Sequence, residues 1–293
     1  MPGIPIAQID VTAERVSALL RAQHPDLGDL PLSPLASGFD NVMFRLGERY
    51  VVRMPRRAVG AQLLVNEQRW LPVLAPHLPV AISAPLLLGQ PGPDYPWHWS
   101  VLPWFEGSCA DVNPPGTKAA LTFAQFLLQL HQPAPLDAPF NPVRGGPLTG
   151  RLASFEERFA RVSANTDTPS ADVQRLWQRG LAAPVSAHRT WLHGDLHAQN
   201  VLIQQGRISA IIDWGDITAG DVATDLQSIW ALFPKRRDRE KVLSAYAPEQ
   251  SVLDRAMAWA VLMAVVMIDT GMHGSRRHEK QGRLQLARLL ADC

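Results

Sequence analysis

The stretch that decides the fold is His193-Gly194-Asp195-Leu196-His197-Ala198-Gln199-Asn200, with Ile211-Ile212-Asp213-Trp214-Gly215-Asp216 a few residues on. It sets one carboxylate, an amide, and a second carboxylate beyond a predicted hairpin in a fixed order. Trp191-Leu192 leads in and Val201-Leu202-Ile203 follows Asn200, so the polar residues sit on a loop with apolar anchors at both ends. Reacting groups are commonly carried on such loops. Asp195 is suited to accept a hydrogen bond from a hydroxyl. Asn200 offers a carbonyl oxygen and Asp213 a carboxylate to a hard cation such as Mg²⁺, which needs few protein oxygens when phosphate oxygens complete its shell.

Composition narrows the partners. The 293 residues suffice for one large or two medium domains with a sizeable core. A hydrophobic fraction of 46% and a charged fraction of 19% are ordinary for a globular protein, and a net charge of +1 argues against nucleic acid. Cys109 and Cys293 have no metal-site or redox spacing, which fits a reducing cytoplasm. The start of the chain lacks a basic patch followed by an apolar run, so no signal peptide is expected. The apolar run 256–268, flanked by Asp254, Arg255 and Asp269, is shorter than a membrane span and is expected as a buried helix. A cytoplasmic protein with neither membrane nor nucleic-acid partners is the expectation.

Along the chain, a helix is expected over 12–22 with Thr12 as its cap. Strands 41–46 and 49–54, joined at Gly47-Glu48, form a hairpin, and helix 61–74 and strand 97–102 follow. Helices are then expected over 117–131, 152–162, 171–181, 223–233, 236–245, 252–267 and 279–290. A Pro/Gly-rich surface loop covers 133–150, and strands 201–203 and 208–212 form a second hairpin through Gln205-Gly206. The pattern predicts an α+β chain with a small N-terminal lobe over 1–104, a sheet plus a helix, and a larger, mainly helical C-terminal lobe over 105–293.

Phosphoryl transfer from a nucleotide needs a group that orients the attacking hydroxyl and oxygen ligands for magnesium, and the opening stretch supplies both. The spacing from Asp195 to Asn200 matches the H-R-D-x-x-x-x-N catalytic loop of protein kinases. With Gly194 in place of the arginine and Asp213-Trp214-Gly215 in place of D-F-G, the chain resembles the aminoglycoside phosphotransferase family of antibiotic kinases. The resemblance covers roughly 35–233 and is closest over 191–225. It implies a bilobal protein-kinase-like fold, ATP or GTP with Mg²⁺ as cofactors, and a small-molecule hydroxyl acceptor as partner. It also implies Asp195 as catalytic base and Asn200 and Asp213 as magnesium ligands. Gly220-Asp221 and Asp225 fit the family too, with Asp225 bracing the catalytic loop. His193 and His197 flank the base; His193 stands with Asp195 as a catalytic candidate, expected chiefly to order the loop.

On the nucleotide side, a phosphate-anchoring cation belongs on the strand after the first hairpin turn. No lysine precedes Lys118, so Arg53 takes that role, a departure from many members of the family. Glu67 is a lone acid on the same helical face as Leu63 and Trp70, and a buried carboxylate needs a partner, so Arg53 is its expected mate. Ser37 and Gly38 occupy the place of the phosphate-covering loop, and Leu102 and Trp104 that of the hinge holding the base. The acceptor side shows no acidic cluster, while Met257, Trp259, Met263, Met267 and Met272 suit a bulky apolar acceptor such as a macrolide. A metabolite kinase for homoserine, choline or a sugar, and a non-catalytic nucleotide-binding relic, are the alternatives to an aminoglycoside kinase.

Overall fold

The structure, a computed structural model, describes residues 6–185 and 188–293; the first residues of the chain, where any leader would start, lie outside it. The chain divides into two compact units. The first takes Met1–His77, Ala81–Glu106 and Asp213–Gly215, and the second Leu78–Val80, Gly107–Ile212 and Asp216–Cys293.

The first unit opens with helix α1 (Ala13–Gln23), capped by Thr12, whose hydroxyl accepts the Arg15 N–H at 3.3 Å. Strands β1 (Leu32–Ser37), β2 (Asn41–Leu46) and β3 (Tyr50–Pro55), helix α2 (Ala58–Leu74), and strands β4 (Ala81–Ile82), β5 (Leu87–Gly89) and β6 (Trp99–Pro103) follow. An antiparallel sheet of order β1-β2-β3-β6-β5 results. Gly47 turns the chain between β2 and β3 at φ 54°, setting the register in which Leu46 faces Tyr50 and Met43 faces Arg53. Alternation along β3 sends Val52 and Met54 into a core with Phe44, Leu46, Trp99, Val101 and the α1 residues Val16 and Leu20. It sends Arg53 to the opposite face, where α2 presents Glu67. The strands expected at 49–54 and 97–102 lie a residue or two further on, and α2 begins ahead of the expected 61.

The second unit contains β7 (Ser108–Cys109), α3 (Ala119–Leu130), α4 (Leu152–Asn165), α5 (Ser170–Ala182), β8 (Thr190–Leu192), β9 (Val201–Gln204), β10 (Arg207–Ile211) and β11 (Thr218–Gly220). Helices α6 (Ala223–Leu226), α7 (Ser228–Leu232), α8 (Arg236–Tyr246), α9 (Gln250–Met272) and α10 (Arg276–Ala291) complete it. β9 and β10 form the second hairpin through Gln205 and Gly206, both at positive φ, as a tight two-residue turn demands. β8 pairs with β11, which fixes the chain on either side of the 193–216 stretch.

Two expectations about helices are corrected. Residues 223–233 form two short helices that meet at Gln227, whose side chain donates to the Leu196 carbonyl and accepts from Gln285. The apolar run 256–268 is the middle of a 23-residue helix that extends past the expected 252–267 at both ends, and the charges flanking the run lie within it as paired groups: Asp254 with Arg179, Arg255 with Asp221, and Asp269 with Arg158 and Arg161. By length and composition α9 would cross a membrane, so shortness does not make it a core helix; burial does, with 72% of its most apolar window inside the protein. α4, α5, α6 and α10 surround it.

Candidate active site

The loop between β8 and β9 is set by its backbone. Leu192 and Val201, both fully buried, anchor its ends. The carboxylate of Asp225 on α6 accepts the N–H of His193 at 2.7 Å and of Gly194 at 2.9 Å. Gly194 sits at φ 85°, and a Cβ there would lie 2.4 Å from the carbonyl oxygen of Asp216. Only glycine fits, which accounts for its presence where the kinase pattern has arginine. His193 is fully buried; its Nε2 donates to the Ile212 carbonyl at 3.0 Å and its Nδ1 accepts the Asp195 N–H at 3.3 Å. A ring with its proton on Nε2 makes both bonds. His193 therefore fixes the backbone of Asp195.

Both carboxylate oxygens of Asp195 are engaged. Arg144 donates from Nη2 to Oδ1 at 2.5 Å, and His197 Nε2 lies 3.3 Å from Oδ2. Burial pushes the Asp195 pKa up, but the Arg144 guanidinium, His197 and His193 outweigh it and hold the carboxyl well below the usual carboxylate range. Asn200 donates from Nδ2 to the Asp195 carbonyl at 2.9 Å, which turns its amide oxygen away from that strand of the loop. Its own carbonyl accepts the Ile212 N–H at 2.9 Å, tying the loop to the end of the second hairpin.

Arg144 does not follow from local sequence pattern. It lies in the Pro/Gly-rich segment 133–150, expected as surface, and its guanidinium also reaches Asp216 Oδ2 at 3.4 Å and the sulfur of Met263 at 3.2 Å. The one signal was length: a loop this long inside a compact domain is usually functional.

In the first unit, Arg53 and Glu67 are both buried and joined at 2.8 Å, the pair expected from the lone acid on α2. The other arm of the guanidinium reaches Asp213 Oδ1 at 3.4 Å. Burial disfavours the Arg53 charge, but Glu67, Asp213 and Asp40 outweigh it and raise the pKa, so the cation is permanent. Asp213 sits at φ 61°, with 59% of its side chain exposed. Ser37 and Gly38 form the β1–β2 turn, where the Gly38 N–H donates to the Asn41 carbonyl at 2.9 Å and the Ser37 hydroxyl accepts from Arg56 at 2.9 Å. That glycine amide is thus engaged within the turn. Leu102 is buried on β6 opposite Val51. Beyond it, the Trp104 N–H donates to the Arg49 carbonyl at 2.8 Å, and Arg45 stacks on the Trp104 ring.

Comparison with known proteins gives the family and the fold. Residues 31–259 match the APH phosphotransferase enzyme family. Protein YcbJ of Bacillus subtilis (strain 168), itself uncharacterized, is 26% identical over 207 residues; the match covers 65% of each chain, so it spans just under two thirds of that relative. Aminoglycoside 2'-phosphotransferase-IIIa in its GDP complex superposes with a TM-score of 0.72 at 18% identity, over 97% of this chain and 100% of that one. Macrolide 2'-phosphotransferase MphH from Brachybacterium faecium superposes with a TM-score of 0.59 at 22% identity, over 92% and 97%. A ternary complex of APH(2")-IIa with streptomycin and ATP gives 0.61 at 18%, over 96% and 97%. At these identities the structures share a fold, the kinase-like one of a sheet-bearing N-terminal part and a helical C-terminal part. The family match spans residues 31–259, most of the chain, and the chain belongs to the APH phosphotransferase enzyme family.

Proposed function

We propose that the chain moves the γ-phosphate of ATP or GTP to a hydroxyl of a small molecule. The observation that carries this is Asp195: an ionised carboxylate on a loop whose backbone is locked by His193 and Asp225. Asp195 takes the hydrogen bond of the acceptor hydroxyl and points its oxygen at phosphorus. As the new P–O bond forms, the bond to the β-phosphate oxygen breaks, nucleoside diphosphate leaves, and the hydroxyl proton passes to Asp195. A carboxylate of depressed pKa is a weak base, so its main contribution is orientation, which suits a loose transition state with little proton transfer.

The donor set fits magnesium. Asp213 carries a half-exposed carboxylate and Asn200 an amide oxygen, and hard oxygens of this kind, with phosphate oxygens, complete its shell. Bound magnesium would draw charge from the transferred phosphoryl oxygens. Arg53, held by Glu67, offers a planar fork to the nucleotide phosphates. The GDP and ATP complexes of the structural neighbours support a nucleotide co-substrate. Such a substrate, with two free cysteines, suits a cytoplasmic enzyme. The test is nucleotide consumption across aminoglycosides, macrolides and hydroxylated metabolites; turnover undiminished in Asp195→Ala would remove Asp195 from its role.

A further inference from the structure

The proposed reaction uses Asp195 but gives Arg144 no task, although the protein builds a seat for it. Asn141 begins that seat. Its N–H donates to the Thr218 hydroxyl at 2.9 Å, and its side-chain oxygen accepts the N–H of Val143 at 2.9 Å and of Arg144 at 3.3 Å. This Asx turn fixes the backbone of Arg144, whose carbonyl accepts the Thr224 hydroxyl at 3.0 Å. The guanidinium is held as closely: Nε lies 3.4 Å from Asp216 Oδ2, and Nη1 donates to the Met263 sulfur at 3.2 Å. Asn141 Nδ2 donates to the other oxygen of Asp216 at 2.7 Å, which joins the backbone turn to the side-chain anchor. The third nitrogen, Nη2, donates to Asp195 Oδ1 at 2.5 Å.

His197 holds Asp195 from the other side. Its Nδ1 accepts the Gln199 N–H at 3.2 Å, which places the ring proton on Nε2, 3.3 Å from Asp195 Oδ2. The last torsion of a carboxylate is broad, and donors on both oxygens stop it from turning. Each oxygen has two lone pairs, so each can still accept one further hydrogen bond. Resting on the phosphotransferase reading above, we infer that Arg144 is a positioning residue of the reaction: seated by Asn141 and Asp216, it sets the plane of the Asp195 carboxylate to which the acceptor hydroxyl is oriented. A cation beside a carboxylate also makes it a weaker base. The two effects have opposite signs, because loss of the guanidinium slows transfer through orientation and speeds it through basicity. With little proton transfer at the transition state, orientation is the larger effect.

The test is consumption of magnesium ATP or GTP by the whole chain with kanamycin, erythromycin, glucose or water as the hydroxyl source, using whichever the wild-type chain turns over fastest. Arg144→Ala should lower kcat about 10–100-fold with the nucleotide KM within about twofold. Millimolar guanidinium chloride, compared with sodium chloride at equal ionic strength, should restore part of that loss in Arg144→Ala and none in Asp195→Ala. Arg144→Lys should fall between Arg144→Ala and the wild type, since an ammonium replaces the charge but not the fork. Asp216→Asn keeps Arg144 but loosens its seat, and should lower kcat by a smaller factor. Melting temperature identifies the folded variants. In a folded Arg144→Ala chain, kcat unchanged or raised, a loss confined to KM, or a loss that guanidinium leaves untouched would overturn the inference. Should Arg144→Ala not fold, wild-type kcat in both Arg144→Lys and Asp216→Asn would overturn it. A wild-type chain that consumes neither nucleotide with any of the four is a separate result, which sinks the phosphotransferase reading and this inference with it.

Discussion

Each unit holds an arginine–carboxylate pair at its centre, and the two pairs are built for opposite ends. Arg53 and Glu67 come from a strand and a helix, lie 14 residues apart in sequence, and are both removed from water. There the acid serves the base: Glu67 keeps a cation in place. Arg144 and Asp195 come from two irregular loops, lie 51 residues apart, and both keep some exposure. There the cation covers the carboxylate, at 2.5 Å, on the residue proposed as catalytic base. The first is a fixture and the second a catch. Substitution should therefore damage the fold through the first pair and the chemistry through the second.

The largest effect is expected at the catch. Asp195→Ala should lower phosphoryl transfer by about 10²–10⁴-fold, the usual worth of a positioned acid–base group. Its melting temperature should move less than at the buried pair, because Arg144 retains Asp216. Steady-state kinetics and calorimetry on one preparation check both halves; a large loss of stability would break the contrast. At the fixture, Glu67→Ala leaves Arg53 buried beside a single, more distant carboxylate, and a cost of about 3–5 kcal/mol in denaturant unfolding is expected. Adding Arg53→Met should recover part of that loss, a coupling visible in a double-mutant cycle. Additive losses would mean that the two side chains do not act as a pair.

A smaller effect is expected at Gly194. Alanine there meets both a left-handed backbone and the Asp216 carbonyl, so Gly194→Ala should cost about 1–3 kcal/mol and reduce kcat by displacing Asp195. Wild-type stability with unchanged kcat would show that the loop is softer than its hydrogen bonds imply. The smallest effect is on pH. Hydrogen bonds from Arg161, opposed by burial and joined by the charges of Arg161 and Arg158, lower the Asp269 pKa. A depressed carboxylate adds stability that is complete above its unfolded pKa of about 3.9 and is lost as pH falls through the folded value. Melting temperature should thus be level near neutrality and fall below about pH 4, with a shallower acid slope in Asp269→Asn.

The same contrast explains what could be read from sequence. Arg53 and Glu67 were legible because both sit on regular elements, where period two on β3 and the face of α2 fix which way each side chain points. The placement of 193–200 on a loop was legible from its apolar anchors, and the bracing Asp225 only through the family resemblance. Arg144 was not, because an irregular loop has no period from which to project a side chain. The length of α9 was underestimated for a related reason: Asp254, Arg255 and Asp269 bound the apolar run in sequence, and only their partners on other elements let the helix carry them. Gln227, where the two short helices of 223–233 meet, likewise has its partners, Leu196 and Gln285, far away in sequence.

The grip of Asp225 on the amides of His193 and Gly194 has a consequence for synthesis. As the chain leaves the ribosome, the segment bearing Asp195 emerges first, with the carboxylate that shapes it still to come. Until α6 has emerged and folded back, the amides of His193 and Gly194 lack the carboxylate that fixes them. A nascent or prematurely ended chain therefore carries the 193–200 segment without the carboxylate that shapes it, and the form of the loop is acquired late, as a property of the second unit as a whole.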